Sequence, residues 1–296
     1  MGRKIALIGL GAMGAGMAGS LRRAGHEVHV CDARAGVAQQ FAKDGGVACA
    51  TPAEAARDCD IVVSVVVNAA QTEDVLFGAN GCAAAMKKGS VFVMCSTVDP
   101  NWSAALEGRL QALGLQYLDA PISGGAAKAA AGQITMMTAG RPEAYAACGD
   151  VLEGMAAKVY KLGARAGAGS KVKIVNQLLA GVHIAAAAEA MALGLREGVD
   201  PEALYDVITH SAGNSWMFEN RMPHVLAGDY TPLSAVDIFV KDLGLVLDLA
   251  RATKFPLPLS STAHQMFMQA SSAGHGREDD SAVIKTFPGI ELPQKK

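Results

Sequence analysis

The order of apolar segments predicts an α/β domain followed by an all-α domain, the two joined by a long helix. Three observations carry that expectation. Short apolar runs alternate with helix-like segments through the first half of the chain, strand signals stop near Gly163, and Ser170 to Glu197 forms one unbroken helical stretch. At 296 residues there is room for two domains, and the shift in pattern puts them at 1–163 and 164–296.

The first element is the most informative. Lys4-Ile5-Ala6-Leu7-Ile8 reads as a strand running into Gly9-Leu10-Gly11-Ala12-Met13-Gly14 and then into a helix of small residues. A strand, a GxGxxG turn and a helix in immediate succession form the first unit of a Rossmann-type dinucleotide-binding domain. Gly9 permits the tight turn, Gly11 lets a pyrophosphate approach the backbone, and Gly14 lets the helix lie close to the strand. The free N–H groups at the helix start, from Leu10 through Gly14, then face the phosphates.

The following elements keep the alternation. Gly25 closes the first helix, and Val28 to Cys31 is the second strand, ending at Asp32. An acid there takes the ribose hydroxyls of the adenosine and repels a 2′-phosphate, which favours NAD over NADP; Arg34 nearby is the counter-argument. Val37 to Lys43 is helical, Val47 to Ala50 a short strand, and Thr51-Pro52 opens a helix with Thr51 as N-cap. Asp60 to Val67 and Ser90 to Cys95 read as buried strands, apolar on both faces as a parallel sheet requires. Ligands in such sheets lie at the carboxyl ends of the strands, so Val66, Val67, Asn68, Ser96 and Thr97 belong to the nicotinamide rim. Thr97 has a second reading, as the N-cap of the helix that enters at Pro100. A strand and turn start at Tyr117 to Pro121, Ile134 to Gly140 is a further strand, and a helix begins at Pro142.

Beyond Gly163 the chain is helical. The stretch from Ser170 to Glu197 would be about 40 Å long, and its Ala185 to Ala188 run lets neighbouring helices come close, which suits an interdomain spine and an oligomer contact. Asp200-Pro201 opens the next helix, Gly213 to Trp216 interrupts it, and Ala235 to Ala252 and Ser260 to Ala273 follow. Asp279-Asp280-Ser281 caps a last short helix.

Composition narrows the function classes. The chain is 51% hydrophobic and 18% charged with a net charge of −2, which speaks for a globular protein and against nucleic acid or a membrane surface as partner. The sequence reading finds no apolar stretch of membrane-spanning length and no signal segment, so a cytoplasmic protein is expected. Six cysteines (Cys31, Cys49, Cys59, Cys82, Cys95, Cys148) form no metal-ligand spacing and read as small buried residues in a reducing compartment; no metal is expected.

Four blocks, in order, carry a resemblance that spans the chain: GLGAMGAGMA from Gly9 to Ala18, DAPISGG from Asp119 to Gly125, GAGSKVKIVNQ from Gly167 to Gln177, and KDLGL from Lys241 to Leu245. With these the chain resembles the β-hydroxyacid dehydrogenases, related to 3-hydroxyisobutyrate dehydrogenase. Ser20 is a departure, since the family's first signature usually has Asn there. The resemblance implies a catalytic Lys173 with Asn176 as its orienter, a coenzyme contact from Lys241, and a homodimer or homotetramer.

Each block also has a physical reading. Ser123-Gly124-Gly125 offers a hydroxyl and unshielded N–H groups, a receptor for a carboxylate, or else an ordinary turn. Lys173 and Asn176 stand three apart, on one face near the start of the long helix, where the expected two-domain arrangement puts them toward a cleft. Oxidising an alcohol requires a group to take the hydroxyl proton, and a lysine shielded from water beside the nicotinamide charge is pushed toward its basic form. Lys171 reads as a surface lysine, and His183 and His210 as packed or exposed residues with no motif around them. The expected function is therefore NAD-dependent oxidation of a small hydroxy acid. The stretch Gly213 to Arg221 resembles the threonate-oxidising branch of the family, and polar residues such as Ser215 and Asn220 suit a polyhydroxylated acid. The alternatives are 3-hydroxyisobutyrate oxidation, reduction of tartronate semialdehyde, succinic semialdehyde or glyoxylate, and a non-catalytic NAD(H)-sensing or scaffolding module.

Overall fold

The computed structural model describes residues 2–295. The chain divides into two units, Met1–Lys173 and Ile174–Lys296.

The first unit alternates strands and helices: β1 (Lys4–Ile8), α1 (Gly14–Arg23), β2 (Glu27–Cys31), α2 (Val37–Ala42), β3 (Val47–Ala48), α3 (Pro52–Ala56), β4 (Ile61–Ser64), α4 (Ala69–Phe77), β5 (Val91–Met94), α5 (Pro100–Ala112), β6 (Gln116–Asp119), β7 (Ile122–Ser123), α6 (Gly125–Ala131), β8 (Ile134–Gly140), α7 (Pro142–Met155) and β9 (Ala156–Lys161). The sheet order is β3-β2-β1-β4-β5-β6-β8-β7, with β9 paired to β8. Strands β3 to β6 run parallel, whereas β8 is antiparallel to β6 and to β7. The order reverses between β1 and β4, which is where a doubly wound sheet opens a crevice for a ligand.

Alternation along the central strands builds two cores. Ile5, Leu7, Val28, Val30, Ile61 and Val63 bury against α1, α6 and α7, while Ala6, Ile8, Val62, Phe92 and Met94 bury against α3, α4 and α5. On the first face α1 and α6 are in backbone contact: a Cβ on Gly16 would lie 2.6 Å from the Ala130 nitrogen and 2.8 Å from the Ala129 carbonyl carbon. Ser20, the departure noted above, donates its hydroxyl to the carbonyls of Ala129 (3.0 Å) and Ala130 (3.3 Å). Its small side chain thus closes the end of α6, whose start holds Gly125.

Several boundaries differ from the sequence expectation. Strand β4 stops at Ser64, three residues short of Val67, because its pairing with β1 ends at Ile8 and the chain then turns toward α4, capped by Asn68. Thr97 is not the cap of α5. Asp99 is, accepting the N–H groups of Asn101 and Trp102. β9 was not expected, since Lys158, Lys161 and an exposed edge position give it no apolar run.

The second unit is helical, as expected. α8 (Ala168–Arg196) begins in the first unit and continues into the second, followed by α9 (Pro201–Thr209), α10 (Trp216–Leu226), α11 (Val236–Thr253), α12 (Pro258–Ala270), a π turn (Ser271–His275) and a 3-10 helix (Asp280–Thr286). Asp200, Ser215 and Asp279 accept N–H groups at the starts of their helices. Ile184, Ala188 and Met191 of α8 bury against Phe218, Phe239 and Phe267. Arg221 pairs with the buried Asp280 through both carboxylate oxygens, at 2.5 and 3.1 Å, which ties α10 to the 3-10 helix.

One expectation is corrected by α8. With 29 residues and a mean hydropathy of 1.7 over its best window, it is long and apolar enough to cross a membrane by length and composition alone. Its hydropathy comes from Leu, Ile and Val together with Ala, and its buried residues form the core of the second unit.

Gly16→Ala should lower stability by about 1–3 kcal/mol in denaturant unfolding, because the new methyl meets backbone that cannot swing aside. Gly19→Ala, whose methyl would meet only the end of the flexible Arg23 side chain at 3.4 Å, serves as the control and should stabilise by up to about 1 kcal/mol, the helix-propensity gain of Ala over Gly.

Candidate active site

The carboxyl ends of β1, β2, β4 and β5 lie side by side, because these strands are parallel neighbours. The Gly9–Met13 turn, Asp32, the Val65–Asn68 segment and the Cys95–Val98 segment therefore line one edge of the sheet. At that edge Gly9 has φ +97°, and a Cβ there would meet the Val65 carbonyl oxygen at 2.5 Å. Gly14 lies so near Gly9 that a Cβ would overlap its carbonyl oxygen. Gly11 is the opposite case, with nothing within 4 Å of where its Cβ would be. That open side is what close approach of a pyrophosphate to the backbone requires.

The start of α1 fits the same ligand. Its N-cap residue Met13 supplies no side-chain hydrogen bond, whereas α3, α4 and α5 are capped by Thr51, Asn68 and Asp99. Helix N–H groups left in this way suit a phosphate. Asp32 is held by the Leu10 N–H at 2.7 Å, the Arg34 N–H at 2.9 Å and Arg34 Nε at 2.9 Å. Burial by itself would raise its pKa, but these donors and the guanidinium charge outweigh burial and hold the carboxyl below its usual range. Arg34 Nη2 also reaches the Leu10 carbonyl at 3.0 Å, so the arginine named as a counter-argument is engaged on the Asp32 side. Val66 is half-buried and its carbonyl accepts from Ser96 at 2.8 Å; Val67 is exposed, and Thr97, relieved of the capping role, is half-buried.

The DAPISGG block lies at the end of β6 and its turn. Ser123 ends β7, and Gly124 (φ +134°) and Gly125 (φ +76°) follow in conformations that side chains disfavour. Nothing lies within 4 Å of a Cβ on Gly125, so that backbone is open. Asp119, fully buried, accepts the Gly167 N–H at 2.8 Å, the Ser170 N–H at 2.9 Å and the Ser170 hydroxyl at 2.6 Å. Burial pushes its pKa up, and these hydrogen bonds oppose that rise. Lys173, one turn beyond Ser170 on α8, is 7% exposed, whereas Lys171 is exposed as expected of a surface lysine.

In the second unit a chain of polar groups joins two of the sequence blocks. Asn176 Nδ2 donates to Gln177 Oε1 at 3.0 Å, Gln177 Nε2 donates to Asp242 Oδ2 at 2.5 Å, and Lys241 Nζ lies 2.7 Å from Asp242 Oδ1. Asp242 is 1% exposed, and these partners offset the cost of burying its carboxyl group. Sequence reading named Lys241 and Asn176 but gave no role to Gln177 or to Asp119. Both stand inside the quoted blocks, which was the available signal.

Ser215 caps α10 by accepting the Phe218 N–H, and the Asn220 side chain accepts from Arg221. His210 is exposed beside Asp206, and His183 is half-buried on α8. All six cysteines are buried and free, and burial raises the pKa of each. Among the described residues no group of three or more His, Cys, Asp or Glu could hold a metal ion.

Comparison with known proteins agrees with this geometry. Residues 4–163 match the family model for the NAD binding domain of 6-phosphogluconate dehydrogenase, and residues 167–287 match that for the NAD-binding region of NADP-dependent 3-hydroxyisobutyrate dehydrogenase. An L-threonate dehydrogenase of Cupriavidus necator is 70% identical over 295 residues, covering 100% of this chain and 99% of that one. Another from Haemophilus influenzae is 52% identical, covering 98% and 97%. A crystal structure of a Salmonella typhimurium protein described as 3-hydroxyisobutyrate dehydrogenase superposes with a TM-score of 0.92 at 53% identity, covering 96% of this chain and 99% of that one. The open glycine cradle, the four ordered blocks and these full-length relationships have one meaning: the chain belongs to the β-hydroxyacid dehydrogenase family, whose members oxidise the CH–OH group of small hydroxy acids with a nicotinamide dinucleotide.

Proposed function

We propose that this enzyme oxidises L-threonate to its 2-oxo acid with NAD, and that Lys173 carries the proton. Full-length relatedness to two L-threonate dehydrogenases is the observation that carries the substrate. For the mechanism it is Lys173, a buried amine one turn into α8.

When bound, the coenzyme supplies the nicotinamide ring that accepts hydride. The glycine turn from Gly9 through Gly14, including Leu10, Ala12 and Met13, would hold its pyrophosphate; Asp32 would take the adenosine ribose, and Val66, Val67, Thr97 and Lys241 would border the nicotinamide end. Ser123, Gly124 and Gly125 would receive the substrate carboxylate through a hydroxyl and open N–H groups. Lys173 takes the proton from the hydroxyl being oxidised and returns it in the reverse direction. Asn176, braced by Gln177, orients the substrate. Ser215 and Asn220 are engaged in capping and in binding Arg221, so they give less support to recognition of the polyol than the sequence suggested.

The domain boundary of 1–163 and 164–296 is part of the same reading. So is a homodimer or homotetramer: Val175, Leu179 and Leu193 of α8 are 59%, 51% and 63% exposed, an apolar surface that a second subunit would cover. A cytoplasmic location is supported by the six unpaired cysteines.

Two measurements test the proposal. Lys173→Ala should remain folded and bind NADH while turnover falls at least ~100-fold, as loss of a general acid/base requires; undiminished turnover would assign the proton to another group. In a panel read by nicotinamide absorbance, threonate should be oxidised at least ~10-fold more efficiently than 3-hydroxyisobutyrate, and NAD should surpass NADP by ~30-fold, the cost of setting a 2′-phosphate against Asp32. Equal rates on the two acids would remove the substrate, and equal use of the two coenzymes would remove the Asp32 argument.

A further inference from the structure

Asp119 is fully buried at the end of β6, and it binds residues 48 and 51 positions further along the chain. Its Oδ2 accepts two backbone N–H groups, from Gly167 and Ser170, and its Oδ1 accepts the Ser170 hydroxyl. Those N–H groups belong to the start of α8, where no residue of the helix can satisfy them through its own backbone. An ordinary N-cap would satisfy them from within the helix and leave the helix free to shift over the sheet. A carboxylate reaching from a strand removes that freedom.

Three further contacts close the arrangement. A Cβ on Gly169 would overlap the Met137 carbonyl oxygen and come within 3.0 Å of the Asp119 carbonyl oxygen, so the first turn of α8 is pressed onto the middle of β8 and the end of β6. Gly167, at φ +96°, would bring a Cβ to 2.8 Å from the Pro100 carbonyl oxygen at the start of α5. Ser170 is 1% exposed and cannot turn its hydroxyl toward water. Lys173 lies one turn on, about 4.5 Å along the axis. The same short segment, Asp119 to Gly125, also carries the open backbone at Gly125.

We propose that Asp119 is a positioning residue for the reaction: by tying the first turn of α8 to the sheet end that carries Ser123 to Gly125, it fixes where the Lys173 amine is delivered relative to the bound carboxylate. This rests on the role of Lys173 set out above. Asp119 touches neither substrate nor coenzyme in this account. Its effect passes through the helix, and it acts on turnover more than on binding, since a misplacement of about 1 Å at a reacting group costs on the order of 100-fold in rate.

The test is a double-mutant cycle on the full-length enzyme, with threonate and NAD as substrates. Asp119→Ala should lower kcat at least ~30-fold while KM and the NADH dissociation constant stay within ~3-fold of the parent. Asp119→Asn, whose amide oxygen can still accept the two N–H groups and whose amide nitrogen can donate to Ser170, should recover kcat to within ~5-fold of the parent. In the Lys173→Ala background, Asp119→Ala should cost less than ~2-fold more, because residues acting as one unit are not additive. Should Asp119→Ala fail to fold, Ser170→Ala runs the same cycle with one hydrogen bond removed, and a kcat loss of ~3-fold or more that vanishes without Lys173 is expected. A loss confined to KM or NADH affinity, or an equal loss with and without Lys173, would overturn the inference and leave Asp119 as a fold element. Parental kcat in Asp119→Ala together with lost turnover in Lys173→Ala would sink the anchor and spare the proton carrier; parental turnover in Lys173→Ala alone would sink both.

Discussion

Helix α1 can approach the sheet and α6 as closely as it does only because three of its neighbouring positions carry no side chain. Gly14 stands against the Gly9 carbonyl, Gly9 against the Val65 carbonyl, and Gly16 against the Ala129–Ala130 backbone, each too close for a Cβ. Much of the first unit follows from that contact. It sets the start of α1, which has no side-chain cap, at the end of β1, and brings α6, with Gly125 at its head, into a fixed relation to α1. The open backbone at Gly11 and the open backbone at Gly125 are thereby positioned by one packing constraint.

Buried carboxylates supply the second level of order. Asp119 and Asp242 are shielded from water and Asp32 is half-buried, and each is offset by donors the fold brings to it: backbone N–H and Arg34 for Asp32, the start of α8 for Asp119, Gln177 and Lys241 for Asp242. A buried charge without such partners is costly, so each of these groups also constrains its donors. The elements so constrained are the glycine turn, the turn of α8 before Lys173, and the Asn176–Gln177 pair.

Much of this was legible in the sequence, for physical reasons. Parallel strands buried on both faces read as unbroken apolar runs, and a glycine turn or a Thr51-Pro52 cap announces itself over a few residues. The α/β then all-helical order, Ile134–Gly140, and the caps at Thr51, Asp200 and Asp279 all stand where local pattern put them. Elements that rest on distant partners were not legible. β9 is an exposed edge strand bearing two lysines, and β4 ends at Ser64 because of its ladder with β1 although the apolar run continues to Val67. The capping role weighed for Thr97 belongs to Asp99, and the apolarity of α8 is spread over Leu, Ile, Val and Ala and interrupted by His183 and Glu189, so no unbroken apolar run announces it. The anchoring of α8 by Asp119 spans about fifty residues, beyond the reach of any spacing rule.

If Lys173 carries the proton, its amine meets the oxygen of the carbon being oxidised. A crystal structure of the enzyme with NADH and an unreactive 2-oxo acid tests it most directly. Lys173 Nζ should lie within about 3 Å of the 2-oxo oxygen, with the acid's carboxylate on Ser123 to Gly125. An amine turned away from that oxygen, with another side chain in hydrogen-bonding contact with it, would contradict the account.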